Sequence, residues 1–238
     1  MFYFILPAIL SYNVILIAAA VVPAVALMVK VYRSDRLERE NPQFLWQLIL
    51  AGILSSLIAL VSEKVFNGLL GLLVKDAKTY QFMLYFCVVA FSEEGAKYFM
   101  LKRRTWRSPE FNCQYDGVVF AVFVSLGFAV WENISYVLHY GFSTALVRAV
   151  TAIPGHTCFG VFMGVFYGFA RNLENQGLVK EAKICRIFAV LVPALLHGAY
   201  DYIASNGGST WGFVGFIAVL FAVSYLLVTK MSRKDRYI

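Results

Sequence analysis

The chain has 238 residues, of which 60% are hydrophobic and 15% charged, with a mean hydropathy of +0.69 and a formal net charge of +7. Soluble domains carry about 25% charged residues, so a soluble globular fold is excluded and a polytopic membrane protein is indicated. The basic residues fall in short loops between apolar runs, where they set orientation, and no nucleic-acid partner is implied.

In chain order, apolar spans are predicted at roughly 4–29, 44–61, 80–101, 116–138, 144–170, 185–204 and 211–229, each near the ~20 residues needed to cross a bilayer. The fold class is therefore all-α: a transmembrane helix bundle of about seven spans, or eight if a further short segment crosses, in a single domain over 1–238. The apolar stretch Val65–Val74 is too short to span and is expected to be interfacial or re-entrant. The first run begins at Phe2 without a basic lead-in and is followed by Lys30, Arg33, Arg36 and Arg39, so it is expected to stay as a helix rather than be cleaved as a signal. Lys102, Arg103, Arg104 and Arg107 mark the third loop, Arg171, Lys180, Lys183 and Arg186 the fifth, and Lys230, Arg233, Lys234 and Arg236 the tail. The connection at 139–143 and the Ser205–Thr210 loop lack Lys and Arg, while Lys64, Lys75 and Lys78 fall in the second loop. The positive-inside rule gives an outer N-terminus and an inner C-terminus. Cys113 and Cys185 are read as loop residues and Cys87 and Cys158 as helical, with no metal-binding spacing among them.

Against this apolar background, Glu93, Glu94, Lys97, Glu132, His156, His197 and Asp201 lie inside spans. A charge at mid-bilayer costs roughly 2.5–3.5 kcal/mol on insertion scales, so such residues mark function by default. In the third span Lys97 follows Glu93 by four residues and Glu94 by three, so it can pair with either on one helix face. Two adjacent carboxylates in a low dielectric do not both ionise readily, which leaves one able to carry a proton; the plainer alternative is a salt bridge that only locks helices. In the fourth span Gly117, Ala121, Ser125, Ala129 and Asn133 form a small-residue ridge for a neighbouring helix. Glu132 stands beside it and should face protein or trapped water. In the fifth, His156, Gly160, Gly164 and Gly168 share a face, pointing His156 into the bundle as a base, a ligand or simply a hydrogen-bond partner. In the sixth, Pro193, His197 and Asp201 fall at four-residue steps, so Asp201 can orient the His197 ring, or the two can form a polar packing pair. With ~1.5 Å of rise per residue, one cluster in the outer half of the membrane is allowed, with Lys97 deeper.

These motifs, Glu93-Glu94-x-x-Lys97, Phe128-x-x-x-Glu132-Asn133, His156 and His197-x-x-x-Asp201 in that order over roughly 80–204, resemble the PrsW family of bacterial membrane proteases. CAAX prenyl endopeptidases and bacteriocin-processing enzymes are more distantly similar. The resemblance implies a multi-pass protein of the bacterial cell membrane that makes the first, site-1 cut in a single-pass anti-sigma factor on its extracytoplasmic side, in an envelope-stress signalling cascade. It implies Glu93 or Glu94 as the base and His197 with Asp201 on the oxyanion side, with Lys97 and Asn133 in support. The distant relatives have histidine at the position of Glu132, and His156 is the candidate to take that histidine's role.

Peptide hydrolysis needs a water nucleophile, a proton acceptor and a donor for the oxyanion, and this set supplies all three. No serine-nucleophile signature is present. His156 and His197 with a carboxylate, Glu132 among the candidates, would equally make a His₂Glu zinc site with an open water position. The rival reading is a proton- or ion-coupled transporter using the same residues as a relay; it would be expected to show matched halves, whereas these motifs are unlike one another.

Overall fold

A computed structural model describes residues 2–205 and 209–238, with side chains from residue 13 onward. All regular structure among them is helical: α1 (Phe2–Ser34), α2 (Pro42–Leu73), α3 (Ala77–Met83), a π-helical stretch Leu84–Val89, α4 (Ala90–Thr105), α5 (Asp116–Tyr140), α6 (Phe142–Val150), α7 (Ala152–Asn175), α8 (Val179–Ser205) and α9 (Thr210–Arg233). Local chemistry sets several boundaries. Asn41 caps α2 by accepting from the Gln43 amide, with Pro42 in the first turn, and Asp76 caps α3 through the Thr79 amide. Gly141 ends α5 and Gly177 follows α7, both with positive φ.

Six helical stretches among the described residues are long and apolar enough to cross a membrane: Asn13–Ser34, Pro42–Leu73, Asp116–Tyr140, Phe142–Asn175, Val179–Ser205 and Thr210–Arg233. The seventh long run, α3 through α4, carries the charged Glu93, Glu94 and Lys97 and is divided by the π-helical stretch. Two expectations are corrected and one is refined. The segment Val65–Val74 is no re-entrant piece: as far as Leu73 it continues α2 without interruption, because no Pro or charge follows Lys64 before the helix ends. The span expected at 144–170 is met by Phe142–Asn175, which is interrupted at Thr151 and so consists of two helices, α6 and α7. Cys185 is helical, since α8 begins already at Val179. The loop after Ser205, expected to lack basic residues, falls mostly outside the described residues.

Helix α5 is the axis of the bundle, buried continuously from Asp116 to Ala129 and covered by α1, α2 and α7. Helix α1 packs on it through Leu16, Ala20, Ala24, Met28 and Val31, a stripe at near four-residue steps. The two closest seams need glycine. A Cβ on Gly52 of α2 would lie 2.1 Å from the Val124 carbonyl oxygen, and one on Gly164 of α7 would lie 2.4 Å from that of Gly117. Small residues let backbones touch where lipid supplies no hydrophobic drive for association. The glycine ridge after His156 is therefore spent on internal packing.

The basic end of the bundle is closed by the C-terminal tail, which pairs with the α4–α5 loop. Cys113 and Tyr237 form an antiparallel bridge, the Gln114 amide donates to the Arg236 carbonyl, and the Ile238 amide donates to that of Asn112.

Substituting Gly164 by Val is expected to cost about 1–3 kcal/mol through overpacking, read as a lower melting temperature in detergent. Gly215→Val, whose Cβ would meet nothing within 4 Å, should leave it unchanged.

Candidate active site

The polar residues of α4, α5, α7 and α8 converge because of where they stand on antiparallel neighbours. Helix α4 begins near its carboxylates and runs toward Lys102–Arg104, α5 runs back and reaches Glu132 late, α7 starts near His156, and α8 ends near His197 and Asp201. All of them therefore gather at the end of the bundle opposite the basic loops.

Lys97 is the hub. Fully buried, its Nζ donates to Glu94 Oε1 at 2.8 Å, Glu93 Oε2 at 3.3 Å and His156 Nδ1 at 3.1 Å, and lies 4.0 Å from the centre of the Phe128 ring. An ammonium has donors only, so it fixes the His156 tautomer: Nδ1 accepts, and Nε2 carries the hydrogen that it donates to Glu132 Oε2 at 3.0 Å. His197 sits between two carboxylates, with Nδ1 2.9 Å from Glu94 Oε1 and Nε2 3.4 Å from Asp201 Oδ2, so either ring nitrogen has an acceptor. Phe159 stacks on His197 at 4.8 Å and meets His156 edge-on, which holds both imidazoles in place.

A cavity of about 520 Å³ opens on this cluster, lined by Glu93, Glu132, His156, His197 and Asp201. Glu94 does not line it. Completely buried, it spends Oε1 on Lys97 and His197, while its Oε2 has no hydrogen-bond partner.

Every residue singled out in the sequence is thus brought into one network, and two more join it. Arg148 of α6 donates to Glu132 Oε2 at 2.8 Å and to Asn133 Oδ1, with its guanidinium 4.0 Å from the Tyr136 ring centre. This is the contact that occupies Asn133. Glu63 of α2 lines the same cavity. Arg148 has no acidic residue within one helical turn to signal a pair, and Glu63 lies just past the second span's expected end at residue 61; the apolar residues that resume after Lys64 and carry the helix on to Leu73 are the available signal.

One ligand atom each from Glu93, Glu94, His156 and His197 lie within 4.8 Å of one another. Two imidazoles with carboxylates are a donor set that zinc accepts, and the unpartnered Glu94 Oε2 is a buried oxygen available to such an ion. The zinc set considered from sequence joined the two histidines to a carboxylate such as Glu132; in the structure they stand with Glu93 and Glu94, and Glu132 serves as the acceptor behind His156.

The family model for PrsW family intramembrane metalloproteases matches residues 40–228. The chain belongs to the PrsW family. Protease PrsW of Halalkalibacterium halodurans is 32% identical over 223 residues, covering 93% of this chain and 99% of the relative. Protease PrsW of Bacillus subtilis is 32% identical over 194 residues, covering 79% and 82%, and that of Clostridioides difficile 30% over 188 residues, covering 77% and 76%. No solved structure matches. As a PrsW-family protein the chain is a multi-pass bacterial membrane peptidase, with a buried Glu/His cluster that could hold a metal ion.

Removing the hub charge by Lys97→Met leaves two buried carboxylates unbalanced and is expected to cost about 3–5 kcal/mol. Thermal melting in detergent would check it. Adding Glu94→Gln to Lys97→Met should recover part of the loss, because the coupling is between those two side chains.

Proposed function

We propose that this chain cuts a single-pass membrane protein of the anti-sigma-factor type on its extracytoplasmic side, as the first step of a signalling cascade. The observation that carries the reading is the cavity onto which Glu93, His156, His197 and Asp201 all face. It lies at the end of the bundle away from the Lys- and Arg-rich loops, which by the positive-inside rule is the outer half. A juxtamembrane or intramembrane peptide bond entering there meets a water-accessible carboxylate and two histidines held by buried partners.

Roles follow from exposure to the cavity. Glu93 lines it, so Glu93 takes the proton from the attacking water. Glu94 is a positioning residue: closed off from the cavity, it holds Lys97 and His197. His197 is held at Nδ1 by Glu94, so its Nε2, on the Asp201 side of the cavity, is the nitrogen that turns from Asp201 to the developing oxyanion and returns a proton to the leaving amine. His156 is held by Lys97 and Glu132 in a single tautomer, with Arg148 balancing the Glu132 carboxylate. A metal ion held by Glu93, Glu94, His156 and His197 would have to displace the Lys97 ammonium from His156 Nδ1, and would supply polarisation of the scissile carbonyl and a more acidic bound water.

The test is cleavage of a co-reconstituted single-pass anti-sigma factor in proteoliposomes. Glu93→Gln, which keeps the shape, is expected to lower the rate by about 10²–10⁴-fold, the usual contribution of a general base. Arg148→Ala should reduce it less, since its effect passes through Glu132. Sensitivity to a zinc chelator reports whether an ion takes part. Undiminished cleavage by folded Glu93→Gln protein would end the assignment of the base.

A further inference from the structure

A second cluster of carboxylates lies at the opposite, basic end of the bundle, and the peptidase reading makes no use of it. Asp35 follows the last residue of α1, Glu40 precedes the cap of α2, and Asp116 opens α5. They are distant in sequence yet one oxygen from each lies within 4.8 Å of the others, and they are only 4%, 5% and 1% exposed. Among the described residues no Lys, Arg or His forms an ion pair with any of them.

The polar bookkeeping of this pocket does not close. Asp116 Oδ2 is used, accepting from the Cys113 amide at 2.6 Å and the Asn112 amide at 3.0 Å, but Asp116 Oδ1 has no partner. Asp35 faces the Leu37 and Glu38 amides without reaching either in hydrogen-bond geometry, so both its oxygens are buried and unpartnered. A fourth carboxylate, Asp235 of the tail, stands close by and has an unpartnered Oδ2 of its own. Leaving a buried carboxylate oxygen unmet is costly, and here several are turned on one another. Glu40 and Asp116 can hydrogen-bond to each other, which leaves Asp35 as the buried carboxylate with neither oxygen met.

We propose that Asp35, Glu40 and Asp116 bind a hard divalent cation, of the calcium, magnesium or manganese class. The ligands are all carboxylate oxygens with no nitrogen or sulfur, which selects that class over zinc or copper. The site joins the α1–α2 turn to the start of α5, at the place where the Tyr115 amide donates to Asp235 Oδ1 and the tail is tied down. The bound ion is a staple that fastens the first two helices and the C-terminal tail to the axis of the bundle. The proposal is independent of the peptidase reading.

The probe is manganese, followed by its paramagnetic resonance signal on full-length protein in detergent after chelator treatment, with calcium as competitor. Asp35→Asn is the decisive variant, because Asp35 makes no hydrogen bond that the amide would lose. Wild type is expected to bind a manganese ion that excess calcium displaces, and calcium should raise its melting temperature by several degrees. The same binding should persist in His197→Ala, which disrupts the other metal-capable group, and weaken at least about tenfold in Asp35→Asn as one of three charged ligands is lost. Glu40→Gln serves as the second variant should Asp35→Asn fail to fold. Wild type that binds no manganese, or binding unchanged by Asp35→Asn, overturns the site. So does a wild type indifferent to calcium whose stability rises on acidification and which Asp35→Asn makes more stable, since that pattern means the carboxylates share protons instead.

Discussion

A lysine ammonium without any contact with water holds this structure together. Transferring such a charge out of water costs several kcal/mol even after relaxation, and it is tolerated only when every donor is met. Lys97 meets that condition with two carboxylates of its own helix, a histidine ring nitrogen from α7 and the face of Phe128 from α5. The requirement runs outward from there. Helix α4 can reside in a bundle of this kind only if α2, α5 and α8 cover it, and His156 can have only one tautomer while Lys97 donates to it. The network that makes the charged residues tolerable is also the one that orients them.

Much of this was legible in the sequence because the relevant geometry is local. The three- and four-residue steps from Glu94 and Glu93 to Lys97, and from His197 to Asp201, are properties of one helix turn, and the structure realises each. The small-residue ridges on α5 and α7 likewise announced their seam, where Gly117 meets Gly164 and Gly168. What escaped was contact between residues far apart in the chain. Arg148 reaches Glu132 from sixteen residues away, across the turn at Gly141. Gly52 and Gly127 each look like isolated glycines, although a Cβ on either would strike the backbone of the facing helix. The break at Thr151 was hidden because both sides of it are apolar.

The two polar centres stand in contrast. Around Lys97, carboxylates, cation and imidazoles satisfy one another almost completely, with Glu94 Oε2 as the exception. Around Asp35, no basic residue enters, although Arg33, Arg36 and Arg39 are near in sequence. Ordinary surface charge balance would have placed one of those side chains among the carboxylates. The two ends of the same bundle thus handle buried charge by different means, one with a residue of the chain and the other by leaving the centre to something from outside it.

The π-helical stretch Leu84–Val89 has a consequence for rotation. A wide turn accommodates one more residue than an α turn, and one residue corresponds to about 100° around a helix axis. The angular phase of Glu93 and Glu94 is therefore uncoupled from that of α3, which can follow its own contacts with α2. Within the stretch, Phe86 is seated in the space left by the absent side chain of Gly198. That glycine adjoins His197 in the chain. The wide turn thus indexes the carboxylates of one helix against the imidazole of another, and a single-residue insertion or deletion there would turn them out of alignment while leaving every motif in the sequence intact.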